Sequence, residues 1–294
     1  MKKTMMLINP NAGKGAYADG LAQALRLLSA ADHAVTLYFT RGRGEATELA
    51  AKYGADFDYL ICLGGDGTLS ETVAGLMRLE RRPMLGYFPL GTANDVARTL
   101  GIPKNDIAAS AERFISGKPM AFDVGKRDGG FFNYVAAFGA FTEVSYGTPQ
   151  KAKQRFGEAA YLVGAAKSLS ALRSRHVRVE YDGGVIEGDY LYGSVSNSRS
   201  VAGLVDLPNG LVDLCDGVHE LILVRQPPNA GKLAALAAQV LSKDLDSEYI
   251  SIMHTTKARF TFDEPTSWTF DGENGGEHTS IAFENLTKAI EFIC

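Results

Sequence analysis

Cysteine is scarce in this chain: Cys62, Cys215 and Cys294 are far apart and odd in number. No C-x-x-C spacing exists for a metal and no disulfide framework can be built, so the reading is buried or incidental thiols in a reducing compartment. Long apolar runs are also missing. Nothing approaches the roughly 18 apolar residues of a membrane-spanning helix. The basic start MKKTMMLI stops at Ile8 before Asn9-Pro10, too early for a secretory leader. The most apolar segment, LAALAAQVL from Leu233 to Leu241, lies between Lys232 and Lys243 and reads as a buried helix. An excess of positive charge is absent. The net charge is -4, and residues 1–124 hold 14 Lys and Arg against 13 Asp and Glu. Neither half is a basic patch, which excludes a nucleic-acid binder that works mainly through phosphate contacts. His33, His176, His219, His254 and His278 show no paired spacing for a metal.

Two familiar phosphate-binding signatures are missing as well. A P-loop needs Gly five residues before its Gly-Lys pair and Ser or Thr after the Lys. Gly13-Lys14 has Ile8 and Gly15 at those places, and Gly231-Lys232 has Gln226 and Leu233. No G-x-G-x-x-G follows a strand pattern, which disfavours a dinucleotide-dependent dehydrogenase.

What is present is an alternation. With 46% hydrophobic and 22% charged residues, the 294-residue chain is globular and long enough for about two domains. Up to about residue 124 strand and helix patterns alternate, as a parallel sheet requires. The strands are Thr4–Ile8, Ala34–Phe39, Asp58–Leu63 and Pro83–Pro89. The helices are Ala16–Ala31, Gly44–Tyr53, Thr68–Leu79 and Asn105–Ser116, the last leading into Met120–Lys126. Hairpin signals follow at Asp128-Gly129-Gly130, Asp182-Gly183-Gly184, Asp216-Gly217 and Asp271-Gly272, interrupted by helical segments Phe156–Leu172 and Ala230–Ser242. The expectation is a nucleotide-binding α/β domain over 1–124 and an antiparallel β-rich domain over 125–294.

Four turns fall at the carboxyl ends of the first four strands: NPNAGKG, TRGRGEA, GGDGT and PLGTAND. Ligands of open parallel sheets sit there. Glycines let backbone N–H groups face an anion, and each following helix adds a partial positive charge. Four such turns on one edge point to a nucleotide phosphate site. Asp66 sits among the glycines of the third turn, where a bare carboxylate would repel phosphate. A divalent cation between them removes the conflict, because Mg²⁺ takes carboxylate, water and phosphate oxygens together. Asp95 and Asp123 lie at the next two strand ends and could converge there. The structural alternatives are a helix-start acid at Asp66 with Thr68 as N-cap, a cap at Asn94-Asp95, and a hydrogen-bonded junction acid at Asp123.

LGGDGT followed by PLGTANDVAR, with LINPNAGKG at the start, resembles the diacylglycerol kinase catalytic family in its soluble bacterial lipid kinase branch. The first motif is shared with NAD kinases; the second narrows the match. The resemblance covers essentially the whole chain. It implies a Rossmann-like parallel α/β domain followed by an antiparallel β-sandwich domain. It implies ATP against Asn9, Pro10, Asn11, Ala12 and Gly13, against Thr40, against Gly64, Gly65, Asp66, Gly67, Thr68, Leu69 and Ser70, and against Thr92 and Asn94. It implies catalytic Mg²⁺ organised by Asp66, Asp95 and Asp123. A structural Mg²⁺ would be held by the Asp216 carboxylate and the backbone oxygens of Asp213 and Val218. His219 and Glu220 depart from the pattern there, standing where an apolar strand usually starts. Glu273, in FDGENGG, matches the family's catalytic glutamate, the base that takes a proton from an acceptor hydroxyl.

The activity so implied is ATP- and Mg²⁺-dependent phosphorylation of a lipid hydroxyl, with diacylglycerol as the first candidate. A sphingoid base, phosphatidylglycerol or a ceramide-like acceptor also offers a hydroxyl beside apolar chains. The alternatives are an NAD kinase-like enzyme with a soluble acceptor and an inactive lipid-sensing module. The expected location is the cytoplasm, with peripheral contact at the inner membrane surface through Lys151–Arg155 and Arg173–Arg178. No nucleic-acid partner is expected. Oligomeric state is left open, a homodimer included.

Overall fold

The computed structural model describes residues 1–15, 17–139, 173–198, 200–201, 205–206, 212–242 and 245–294. Strands β1 (Lys2–Ile8), β2 (His33–Phe39), β3 (Tyr59–Gly64) and β4 (Met84–Pro89) pair in parallel, in the order β2-β1-β3-β4. The near-continuous apolar runs of β1, β3 and β4 follow from burial on both faces. One face sends Met6, Ile8, Ile61, Leu63 and Phe88 against Ala24 and Leu28 of α1 (Ala18–Ala30) and Ile107, Ala111 and Phe114 of α5 (Ile107–Ser116). The opposite face sends Met5, Leu7, Leu60, Cys62, Leu85 and Tyr87 against Ala50 of α2 (Glu45–Tyr53) and Leu69, Val73 and Leu76 of α3 (Asp66–Leu76). The strand period of two makes this division automatic. Helices α2 and α3 touch at Gly75, where an added Cβ would stand 2.4 Å from the Thr47 carbonyl oxygen. A short helix, α4 (Asp95–Leu100), follows the turn after β4.

From β5 (Pro119–Arg127) onward the pairing turns antiparallel. Three of the four Asp-Gly signals are two-residue hairpin turns. Asp128-Gly129 joins β5 to β6 (Gly130–Phe132). Asp182-Gly183 joins β8 (Arg175–Tyr181) to β9 (Gly184–Ser196). Asp271-Gly272 joins β14 (Lys257–Phe270) to β15 (Glu273–Ile293). Asp271 and Gly272 have φ of 50° and 79°, the left-handed pair that a tight hairpin needs. Asp216-Gly217 is different: it lies in a loop before β12 (His219–Arg225), not between paired strands. β7 (Val135–Gly139), β9, β12 and β13 (Ile250–Thr255) complete this half, together with α6 (Ala230–Leu241), which carries the apolar segment expected to be helical. A short two-stranded ribbon, β10 (Ser200–Val201) with β11 (Val205–Asp206), stands apart.

Among the described residues, the two halves share one 13-stranded sheet. β15 runs antiparallel to β14 and to β5, and its end meets β4, pairing Phe292 with Leu85. The chain's last strand thus fixes the hairpin turn that precedes it relative to the turns of the first half. Helix Phe156–Leu172 and the basic run Lys151–Arg155 lie outside the described residues. No described helix is long and apolar enough to cross a membrane.

Candidate functional site

A cavity of about 1220 Å³ opens where the carboxyl ends of the parallel strands face the β14–β15 turn. From the first half, Asn9, Asn11, Ala12, Gly13, Thr40, Gly65, Gly67, Thr68, Ser70 and Thr92 line it. From the second half come Arg127, Phe131, Phe270, Asp271, Glu273 and Asn274. Most of the residues expected around a nucleotide therefore share one concave surface with Glu273. Pro10, Gly64, Asp66, Leu69 and Asn94 are not on that surface; Asp66 lies just behind it, between the lining residues Gly65 and Gly67. Leu69 is core, fully buried on the inner face of α3.

The loops are held by bonds that the sequence does not announce. Asn9 donates from Nδ2 to the Thr68 hydroxyl at 2.9 Å and accepts the Asn11 N–H on Oδ1 at 3.0 Å, tying the first turn to α3. Thr68 is thus not the N-cap; that position is Gly65, and Asp66 is the first residue of the helix. The third and fourth turns touch backbone to backbone. Leu90 N–H donates to the Gly64 carbonyl at 2.7 Å, and a Cβ on Gly65 would stand 3.1 Å from Gly91 Cα. Asn94 occupies an N-cap position with φ 52°, but its side chain caps nothing in α4. Its amide takes the Gly91 N–H at 2.8 Å and gives to the Gly91 carbonyl at 2.7 Å, shaping the turn from within.

The structure brings Asp66 and Asp95 together. The Asp95 N–H donates to Asp66 Oδ2 at 3.3 Å, while Asp66 Oδ1 is buried with no hydrogen-bond partner. Burial, and then the neighbouring Asp95 charge, push the Asp66 carboxyl up to about 6. A buried carboxylate oxygen left over beside a second acid is the environment a cation relieves. Asp123 sits elsewhere in the network. It is fully buried, accepts the Gly217 N–H on Oδ2 at 2.7 Å and the Lys288 N–H on Oδ1 at 2.6 Å, and so ties β5 to the loop before β12 and to β15. In that loop Asp213 Oδ1 accepts the Cys215 N–H at 3.2 Å, and Asp216 Oδ1 accepts the Val218 N–H at 3.0 Å. Both side chains are exposed. Among the described residues no cluster of three or more His, Cys, Asp or Glu is arranged as a ready metal cage.

Glu273 bridges the halves. Its Oε2 pairs with Arg43 of the second turn at 3.0 Å. Its Oε1 lies over the start of α3, 3.2 Å from where a Gly67 Cβ would be, so Gly67 is what admits the carboxylate there. Sequence reasoning missed Asp271. The Asp-Gly pair reads as a turn, which it is, but the side chain does more. Oδ1 accepts the N–H groups of Tyr134 at 2.9 Å and Val135 at 3.2 Å; Oδ2 accepts the Asn133 N–H at 2.8 Å and the Ser70 hydroxyl. Burial pushes this carboxyl up and its four hydrogen bonds oppose that. Through it, α3 of the first half is bonded to the turn that carries Glu273. No spacing signal marks that role; the one hint is an acid two residues before another acid on a turn.

His219 and Glu220 do begin a strand. His219 packs its ring against Phe132 at 5.3 Å between centroids, and Glu220 is fully buried on the opposite face. Burial pushes the Glu220 carboxyl up to about 8 and the His219 imidazole down to about 3. The basic run Arg173–Arg178 is not a free cationic patch. Arg175 meets Glu264 at 3.7 Å, Arg178 meets Glu180 at 3.3 Å, and His176 lies 3.0 Å from Asp189.

Comparison with known proteins agrees with this geometry. Residues 3–127 match the diacylglycerol kinase catalytic domain family. A protein named diacylglycerol kinase in Bacillus subtilis (strain 168) is 33% identical over 296 residues, spanning 100% of this chain and 96% of the relative. Its namesake in Staphylococcus aureus (strain Newman) is 36% identical, spanning 99% of this chain and 91% of the relative. A crystal structure described as a diacylglycerol kinase from Bacillus anthracis str. Sterne superposes with a TM-score of 0.78 at 26% identity, over 99% of this chain and 96% of that one. The chain belongs to the diacylglycerol kinase family and is a lipid kinase, a phosphotransferase with an alcohol acceptor.

Proposed function

We propose that the protein transfers the γ-phosphoryl group of ATP to the free hydroxyl of diacylglycerol, giving phosphatidic acid. The observation that carries this reading is the single cavity that joins four glycine-rich turns to Glu273. In this reading residues 1–124 hold the nucleotide, and residues 125–294, a β-sandwich domain, hold the acceptor. ATP lies with its phosphates against the Asn9–Gly13 turn and the start of α3, where N–H groups and the helix terminus favour anions. Asp66 and Asp95 hold Mg²⁺, for which the unpartnered Asp66 oxygen and the all-oxygen donor set are suited. When bound, the ion neutralises charge on the β- and γ-phosphates. We assign Asp123 to the junction, since both its oxygens already accept backbone N–H groups. Asp216, with the backbone oxygens of Asp213 and Val218, would hold a second, structural Mg²⁺.

Glu273 accepts the acceptor's hydroxyl proton as that oxygen attacks the γ-phosphorus, and ADP leaves with the bridging electrons. Asn133, Tyr134, Val135 and Ser70 hold Asp271, and Asp271 holds the turn on which Glu273 stands. The test is phosphate transfer from labelled ATP to diacylglycerol in mixed micelles, with Mg²⁺ or with excess chelator, for the wild type, D66N and E273Q. Transfer by the wild type with Mg²⁺ alone, lost in both variants, is expected. Transfer to a dinucleotide instead, or undiminished transfer in chelator, would refute the reading.

A further inference from the structure

Arg43 is a cation at this site that the reading above does not use. It lies on the loop between β2 and α2, flanked by Gly42 and by Gly44 with φ 81°. That loop is anchored on both sides. Thr40 N–H donates to the Ile8 carbonyl at 2.9 Å, and Gly44 N–H donates to the Glu71 carboxylate at 2.7 Å. The neighbouring Arg41 is engaged with Glu45 at 2.8 Å through Nε. Arg43, unlike Arg41, reaches across to the second half, to Glu273 Oε2 at 3.0 Å.

Among the described residues that line the cavity, two carry positive charge, Arg43 and Arg127. Arg127 is held in place: its guanidinium sits 4.1 Å over the Phe270 ring and donates to the Asp128 carbonyl at 2.9 Å, although its Nε is buried without a partner. The Arg43–Glu273 pair is 75% and 52% exposed, so solvent screens it and it is easily broken. A polyphosphate offers Arg43 several charges and a bidentate fit that one exposed carboxylate does not. While Arg43 holds Glu273, one of the two carboxylate oxygens, Oε2, faces a cationic donor, which lowers the basicity of the whole carboxylate.

We propose that Arg43 is a further catalytic residue with two partners in turn: Glu273 in the empty site and the nucleotide's terminal phosphate in the loaded one. This rests on the reading of Glu273 as the base. Nucleotide binding draws the guanidinium away, frees the Glu273 oxygen for the acceptor's O–H, and places positive charge on the phosphoryl group in flight. The acceptor O–H bond then breaks with its proton going to Glu273. The new O–P bond forms, and the bond between the γ-phosphorus and the bridging oxygen breaks with its electrons going to ADP.

The competition makes a prediction that a structural role would not. Equilibrium binding of ATP is measured by calorimetry for the wild type, E273Q, R43M and R43M/E273Q. E273Q is expected to bind ATP about two- to fivefold more tightly than the wild type, the release of one exposed ion pair. R43M is expected to bind less tightly, and the double variant to show none of the E273Q gain. In turnover, R43M is expected to lose about tenfold or more in kcat with a raised KM for ATP and an unchanged KM for the acceptor, and R43K to recover part of the loss. Both side chains are exposed, so the melting temperatures stay together. The inference is overturned if the E273Q gain persists without Arg43, or if R43M turns over ATP within twofold of the wild type. A wild type that phosphorylates no lipid would refute the kinase reading instead, while the binding arms still decide whether Arg43 serves the phosphates.

Discussion

Replacing Asp271 by Asn removes one charge and one acceptor and leaves the shape of the side chain intact. In the wild type the two oxygens accept four hydrogen bonds, two each. The amide has one oxygen and one NH₂. If its oxygen keeps the Tyr134 and Val135 N–H groups, the NH₂ faces the Asn133 N–H, a donor against a donor. Ser70 can turn its hydroxyl to accept, but the Asn133 N–H, in a buried place, cannot. An unpaired buried donor costs about 1–3 kcal/mol, and loss of a charge-assisted acceptor adds to that, so D271N should lose about 2–4 kcal/mol.

The single tryptophan, Trp268, is 1% exposed in the core under the same hairpin, so its emission reports unfolding in urea directly. The catalytic consequence follows from the turn. Asp271 holds φ at 50° and its own N–H donates to the Val135 carbonyl at 2.8 Å, so the position of Glu273 depends on this anchor. A displacement of about 1 Å at a reacting group costs roughly a hundredfold, and kcat should fall by about that much. The KM for ATP should move far less, since the first-half loops keep their own bonds. Should D271N unfold within about 0.5 kcal/mol of the wild type and keep kcat within about twofold, Asp271 is a turn residue and nothing more.

Asp66→Asn should abolish lipid phosphorylation and yet stabilise the metal-free protein. The folded carboxyl titrates near 6, above its ordinary 3.8, so Asp66 lowers stability as pH rises from about 4 through 6. At pH 7 the variant should gain up to about 3 kcal/mol, seen as a higher melting temperature in chelator. Glu220→Gln should act over a wider window, because that carboxyl is raised from 4.5 to about 8. The wild type should lose stability between about pH 5 and 8, the variant should flatten that slope, and pH-dependent urea curves measure both. Gly75→Ala drives a methyl to 2.4 Å from the Thr47 carbonyl, so it should cost about 1–3 kcal/mol through the α2–α3 contact, with the KM for ATP also rising because α3 begins at the site.

The first half was legible because its signals are local. β1, β3 and β4 are apolar runs closed by turn residues, and the helices between them keep helical spacing; strands and helices fell within a few residues of where the pattern places them. Three hairpin turns were visible for the same reason, since Asp-Gly favours a tight turn; positive φ falls on Gly129, on Asp271 and Gly272, and on Gly184 just after Asp182-Gly183. What was not legible depends on partners far apart in sequence. Asp271 and Ser70 are 201 positions apart, and Asp123 and Lys288 are 165 apart. Neither spacing has a period. The return of β15 to β4 through Phe292 and Leu85 is equally silent, because an apolar strand end carries no address. Thr68 misled in a smaller way: a hydroxyl near a helix start looks like a cap, and here it receives Asn9 instead.

The acids around the cavity answer why a carboxylate stands among glycines. Asp271 and Asp123 are buried, yet each is saturated by N–H or O–H donors, so their charge is compensated inside the fold. Asp66 is the exception, with one oxygen unpartnered and a second acid beside it. Glu273 is also held loosely, by one exposed arginine. Folding alone would favour Asn at the first position and would be indifferent at the second. Glu220 is uncompensated too, but it does not line the cavity; at the site, the two uncompensated carboxylates mark where compensation comes from outside the chain: a cation at Asp66, and a proton from the acceptor at Glu273. If D66N melts below the wild type in chelator, Asp66 is a structural acid after all, and the case for a cation there loses its physical basis.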